Sequence, residues 1–168
     1  MTALAAANLG YRCHIYTEDT DSPAAQVSAT TTVASYKDHE ALTQFAKAVD
    51  LITYEFENIP LSSITLLNNI RSIRPSPSIL AISQHRGKEK EFAVQHGVNV
   101  APYKIIKNIS DLESAIKMIG TPSVLKTSRF GYDGKGQIVI NEPAEIHSAW
   151  NQLSSDDLVL EQFIAFEK

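Results

Sequence analysis

Helical and extended patterns alternate along residues 1–75, and this alternation constrains the fold more than any other feature of the sequence. The opening Met1–Leu9 is rich in alanine and leucine and predicts a helix. Gly10 is placed to end it. Arg12–Thr17 reads as a strand, with Ile15 and Tyr16 typical of one. Thr17–Gln26 is a polar loop, and Thr31–Ala34 is a short strand. Asp38–Val49 sets Ala41, Leu42, Phe45, Ala46 and Val49 on one helical stripe. Leu51–Tyr54 predicts a buried strand. Pro60 suits the start of a helix reaching Asn69, and Ser72–Arg74 is a brief strand ended by Pro75. Strands joined through helices at this spacing imply a doubly wound parallel sheet. Such a unit ordinarily opens with a strand and a glycine-rich turn. This sequence opens inside a helix, so the expectation is an α/β sheet without its first strand.

A second pattern follows. A helical stretch with a break runs from Ser76 to His96 and is capped by Gly97. Tyr103–Lys107 is a strand, and Ser110 with Glu113 suggests a capping box for a helix over Asp111–Ile119. Val124–Thr127 and Gln137–Ile140 are strands around a glycine-rich loop, Pro143–Leu153 is a helix, and Leu158–Ile164 is a last apolar strand. The expected organisation is a doubly wound domain over 1–75, a helical connection over 76–100, and a smaller α+β subdomain over 101–168.

Composition excludes some functions. Net charge is −4 and the pI is near 5.7, which argues against a nucleic-acid binder. Hydrophobic residues make up 43% of the chain, enough for a packed core. Cys13 has no second cysteine to pair with and reads as a core residue of a strand. No apolar run approaches the roughly 18 residues of a membrane span. The expected setting is cytoplasmic, with no membrane partner. The five histidines show no metal-ligand spacing.

The loop Gly131-Tyr132-Asp133-Gly134-Lys135-Gly136-Gln137 lies between two strands. Its glycines allow close approach of the backbone to a ligand, and successive N–H groups there can cradle an anion beside Lys135. It is not a Walker A loop, because a strand follows instead of a helix. Glycine content alone favours a plain mobile hairpin turn. Lys126, in an apolar strand just before the loop, either meets an anion such as phosphate or points to solvent. Glu161 is a carboxylate inside a hydrophobic strand, suited to a ribose hydroxyl or simply satisfied at an edge. Arg86 sits in the charged run Gln84–Lys90, which reads as a solvated helix face or as a phosphate contact. Tyr54, Glu55 and Glu57 follow a strand at the end where open α/β sheets bind ligands. Asp19 and Asp21 occupy a similar but less distinctive place.

Together these segments resemble 5-(carboxyamino)imidazole ribonucleotide synthase, an ATP-grasp ligase of purine biosynthesis. The matching stretches are Asp21–Gln26, Thr53–Pro60, Arg74–Pro77, Val124–Gln137 and Leu158–Lys168, in family order. The resemblance implies a doubly wound domain followed by the start of an ATP-grasp domain. It implies that Arg86, Lys126, Gly131–Gln137 and Glu161, Gln162, Phe163 and Ile164 contact ATP, with Tyr54, Glu55 and Glu57 near the ribonucleotide. The implied reaction joins bicarbonate, through carboxyphosphate, to the amine of 5-aminoimidazole ribonucleotide. Magnesium is the implied metal, held by carboxylates of a later part of the family's ATP-grasp domain. A homodimer is implied as well. On this reading the chain is an incomplete and inactive part of the enzyme. The alternatives are another ATP-grasp carboxylate–amine ligase or a non-catalytic nucleotide- or partner-binding module.

Overall fold

The computed structural model describes residues 1–131, 135–153 and 155–166. These form two units, residues 1–81 and residues 82–168.

In the first unit, helix α1 (Thr2–Asn8) ends where Gly10 turns left-handed at φ +85. The Gly10 and Tyr11 N–H groups donate back to Ala7 O and Ala6 O, both at 3.0 Å, which closes the last turn. Strands β1 (His14–Thr17) and β2 (Thr30–Val33) pair in parallel, with His14 opposite Thr30. Helix α2 (His39–Lys47) is capped by Asp38, whose Oδ1 accepts the Ala41 N–H at 2.9 Å. Strands β3 (Ile52–Thr53) and β4 (Ile73–Arg74) pair in parallel around helix α3 (Leu61–Ile70). The expected α/β alternation with parallel pairing is present. Pro60 stands at the cap of α3, one place before the helix, where its carbonyl accepts the Ser63 and Ile64 N–H groups. Leu42, Ala46, Ile64, Leu67, Ile73 and Leu80 build the core, each contributing roughly 1.5–3 kcal/mol if fully buried, alanine less.

The expected helical stretch after Ser76 divides into α4 (Pro77–Ser83) and α5 (Arg86–Gln95). The break lies at His85, whose backbone is extended at φ −138 and ψ 108. The second unit continues with β5 (Tyr103–Ile106), α6 (Ile109–Ile119), β6 (Ser123–Thr127), β7 (Gln137–Ile140), α7 (Ile146–Leu153) and β8 (Leu158–Gln162). Its sheet has the order β5-β8-β6-β7 and is antiparallel throughout.

The expected cap of α6 is corrected. Asn108, not Ser110, accepts the Asp111 N–H at 2.9 Å, and Asp111 returns the favour by accepting the Lys107 N–H at 3.0 Å. Asparagine is as good a cap as serine, and placing it there starts the helix two residues earlier than expected. Strand β8 stops at Gln162, two residues before the expected end at Ile164.

The two faces of this sheet explain the site. Leu125 of β6 and Leu158 and Leu160 of β8 point into one core with Leu112 and Ile116 of α6 and Ile146 and Ala149 of α7. Side chains alternate across a strand, so Lys126 and Glu161 must share the opposite face.

Candidate functional site

On that face Val124 stands opposite Glu161 in the β6–β8 register, and Lys126 stands opposite Val159. Lys126 and Glu161 are therefore diagonal neighbours, within reach of two long side chains. Lys126 Nζ lies 3.1 Å from Glu161 Oε2. Helix α5 supplies a second ammonium. Lys90 Nζ lies 3.2 Å from the same Glu161 oxygen and 5.5 Å above the centre of the Tyr103 ring. Tyr103 is the residue opposite Glu161 on the other neighbouring strand, β5. The Glu161 side chain is 12% exposed, so the paired lysines relieve the cost of holding its charge away from water.

Arg86 reaches the site from the first turn of α5. Its backbone N–H donates to Ser128 O at 2.9 Å and its Nε donates to Thr127 O at 3.2 Å. The guanidinium thus rests on the backbone at the foot of the glycine-rich loop. At Gly131 a Cβ would stand 2.8 Å from Arg86 Nη2, so a side chain there would displace the guanidinium. Gly136 closes the other side at φ +70, where a Cβ would stand 2.6 Å from Thr127 Oγ1. The Thr127 N–H donates to Gly136 O at 2.8 Å and extends the β6–β7 pairing into the loop.

His85 holds α5 at this spot. Its Nδ1 accepts the Gly87 and Lys88 N–H groups at 3.1 and 3.4 Å, which caps the helix. Its Nε2 lies 3.1 Å from Asp157 Oδ2. An Nδ1 that accepts two N–H bonds leaves the ring proton on Nε2, where it is donated to the carboxylate. The Ser128 N–H donates to Asp157 O at 3.0 Å, so the same turn braces the loop.

Arg86, Glu89, Lys90, Lys126 and Glu161 line a cavity of about 350 Å³, with Ala93 and Val100 as its apolar wall. Three cations there face two carboxylates, an arrangement suited to an anion that also carries an apolar group. The buried Ser128 hydroxyl has no hydrogen-bond partner among the described residues. A cavity of equal volume lies between α6 and α7, lined by Glu113, Lys117 and His147, and holds none of the candidate residues. Among the described residues no group of three or more His, Cys, Asp and Glu side chains is placed to hold a metal ion. The described residues do not make up a magnesium-binding set.

The sequence candidates are thus distributed as follows. Arg86, Lys126, Gly131, Gly136 and Glu161 come together in the second unit. Lys135, Gln137, Gln162, Phe163 and Ile164 are exposed at its margin. Tyr132, Asp133 and Gly134 lie outside the described residues. Lys126, expected either to meet an anion such as phosphate or to point to solvent, is paired with the Glu161 carboxylate. Lys90, His85 and Asp157 were not singled out. Lys90 was legible, since it lies four residues after Arg86 and hence on the same face of α5.

Tyr54, Glu55 and Glu57 lie in the first unit, directly after β3. The Tyr54 hydroxyl is buried with no hydrogen-bond partner among the described residues, and burial, aided by the Glu57 charge, raises its pKa. Glu55 accepts a hydrogen bond from Thr2 Oγ1. Asp19 serves the local turn, its Oδ1 accepting the Asp21 N–H at 2.9 Å.

Comparison with known proteins adds a lineage to this geometry. Residues 1–84 match the ribonucleotide synthetase pre-ATP-grasp domain, and residues 91–168 match the ATP-grasp domain. The chain is 39% identical to the bifunctional purine synthesis protein purC/E of Dictyostelium discoideum, over 99% of this chain and 17% of that protein. It is 38% identical to N5-carboxyaminoimidazole ribonucleotide synthase of Bacillus subtilis, over 99% of this chain and 44% of that one. Among solved structures, N5-carboxyaminoimidazole synthetase of Staphylococcus aureus complexed with ADP superimposes with a TM-score of 0.95 at 32% identity, over 100% of this chain and 45% of that one. The chain therefore spans less than half the length of these relatives. No helix of the described residues is long and apolar enough to cross a membrane.

Proposed function

The chain belongs to the N5-carboxyaminoimidazole ribonucleotide synthase family of ATP-grasp ligases, and from that premise we propose that its second unit supplies the nucleotide-binding wall of an enzyme that carboxylates 5-aminoimidazole ribonucleotide. In this reading ATP phosphorylates bicarbonate to carboxyphosphate, and the carboxyl group passes to the substrate amine with release of phosphate. Magnesium, when bound, would neutralise phosphate charge. Positioning and charge neutralisation dominate such phosphoryl transfers.

The observation that carries the reading is the convergence of Arg86, Lys90 and Lys126 on one cavity at the foot of a glycine-rich loop. Arg86 would present its guanidinium fork to a phosphate, and Lys126 would exchange its carboxylate partner for another. Gly131, Lys135, Gly136 and Gln137, with Tyr132, Asp133 and Gly134, would close around the phosphates. Glu161, Gln162, Phe163 and Ile164 would border the nucleoside. In the first unit Tyr54, Glu55 and Glu57 would meet the ribonucleotide. The Tyr54 hydroxyl, buried with no hydrogen-bond partner among the described residues, supports that assignment.

Isothermal titration with ADP tests the nucleotide site directly. The expected result is saturable binding that Lys126→Met weakens about tenfold, as fits the loss of one charge-assisted phosphate contact. Binding unaffected by Lys126→Met, or no binding at all, would overturn the assignment.

A further inference from the structure

Lys90 and Lys126 share one carboxylate oxygen, yet they are held differently. Lys126 stands on β6 at the foot of the loop, and Gln137 is its partner across the hairpin. Lys90 stands on α5 and is fixed on two sides, by Glu161 at 3.2 Å and by the Tyr103 ring at 5.5 Å. Neither of those groups belongs to the loop. An anion entering beside the loop therefore meets Lys126 as the cation free to turn toward it. That movement would strip Glu161 of one partner while its side chain remains 12% exposed. A carboxylate left unpaired at that depth is costly, because water cannot replace the lost ammonium.

We infer that Lys90 is a positioning residue of the nucleotide site: it keeps Glu161 neutralised when a bound phosphate draws Lys126 away. The inference rests on the nucleotide-site reading above. It gives the cavity a division of labour that its three cations and two carboxylates permit. Arg86 and Lys126 engage the ligand, while Lys90 stays with Glu161 and spares it an unpaired state.

A double-mutant cycle on the full chain tests this, with ADP as the probe and affinity read by titration calorimetry. Lys90→Met is expected to weaken ADP binding about tenfold, the scale of one ion pair lost at partial burial. Lys90→Arg, which keeps the charge, is expected to bind within about twofold of the unaltered chain. In a Glu161→Gln background, Lys90→Met is expected to change affinity by less than about twofold, because the carboxylate that Lys90 neutralises is gone. A purely structural lysine would show no such dependence on Glu161. Circular dichroism melts check each variant, and Lys90→Gln replaces the methionine variant if that one does not fold.

An undiminished Lys90→Met effect in the Glu161→Gln background would mean direct ligand contact and would overturn the inference. So would ADP binding unchanged by Lys90→Met. Absence of ADP binding by the unaltered chain would overturn the nucleotide-site reading and this inference with it.

Discussion

Lys126 and Glu161 are diagonal neighbours on antiparallel strands, and their side chains meet with Nζ 3.1 Å from Oε2 on the sheet face away from the α6–α7 core. The contact joins the strand before the glycine-rich loop to the strand that would border a nucleoside. It also means that Lys126 and Glu161 neutralise each other within the chain. On the reading proposed above, binding would be an exchange of partners, not the filling of a vacant charge.

Glu161→Gln should expose the repulsion that the carboxylate now suppresses. Two ammoniums that lie 3.1 and 3.2 Å from one oxygen would face each other without the carboxylate they share. The expected cost is about 1–3 kcal/mol, discounted for partial exposure. Urea denaturation at low salt measures it, and added inorganic phosphate should recover part of the loss. A change below about 0.5 kcal/mol would show that the cluster carries no stability.

Gly131 and Gly136 should fail in different ways. In Gly131→Ala the new Cβ meets Arg86 Nη2, the mobile end of a long side chain, at 2.8 Å. The fold should persist while the guanidinium shifts, so ADP affinity should fall with little change in melting temperature. In Gly136→Ala the residue sits at φ +70 and its Cβ meets Thr127 Oγ1 at 2.6 Å. That substitution should cost about 1–3 kcal/mol in stability itself. Equal melting temperatures for the two variants would contradict this division.

His85 combines a helix cap with a tie to Asp157. His85→Ala should cost about 1–2 kcal/mol through loss of the cap. His85→Asn keeps an acceptor for the α5 N–H groups but is too short for Asp157, so it should recover much of that stability. Thermal melts of both variants beside Asp157→Asn separate the two roles. Equal losses in the alanine and asparagine variants would dismiss the cap.

Acidification should destabilise the first unit through His14. Burial lowers the His14 pKa below its usual 6.5, with Nε2 held 2.8 Å from Thr32 Oγ1 and the ring packed edge-on against Phe45. The unfolded chain then binds the proton more readily than the folded one. Stability is full above pH 6.5 and is lost as pH falls from there through the lower folded value. Glu18 acts in a separate window. Its pKa is lowered, chiefly by the Tyr36 N–H and then by the Ser35 hydroxyl, so its contribution is present above 4.5 and is lost below that. Melts between pH 7.5 and 5.5 should therefore show a decline that His14→Gln reduces. An identical slope in the variant would remove His14 as the cause.

Much of the fold was legible because it rests on local regularities. The α2 stripe of Leu42, Phe45 and Ala46 buries the side chains that its period predicts. Gly10 ended its helix, and the lysine and the carboxylate that stood out in apolar strands meet in the structure. Less legible were the features set by competition between near-equal choices. Asn108 displaced Ser110 as the α6 cap because both can accept the same kind of N–H bond. The break before α5 fell at His85, a residue whose capping role depends on a histidine nitrogen and not on the usual serine or aspartate.

The sequence by itself determined which residues carry charge, which lie in apolar strands, and where glycine permits a loop, since these follow from residue chemistry and periodicity. Only the tertiary structure decided who meets whom. It set Lys90 of α5 and Lys126 of β6 on one oxygen of Glu161, because strand register and helix packing bring together residues 35 and more positions apart. Local pattern contains no record of that pairing. It arises when burying the α6–α7 side of the sheet turns the alternate side chains of β6 and β8 toward α5.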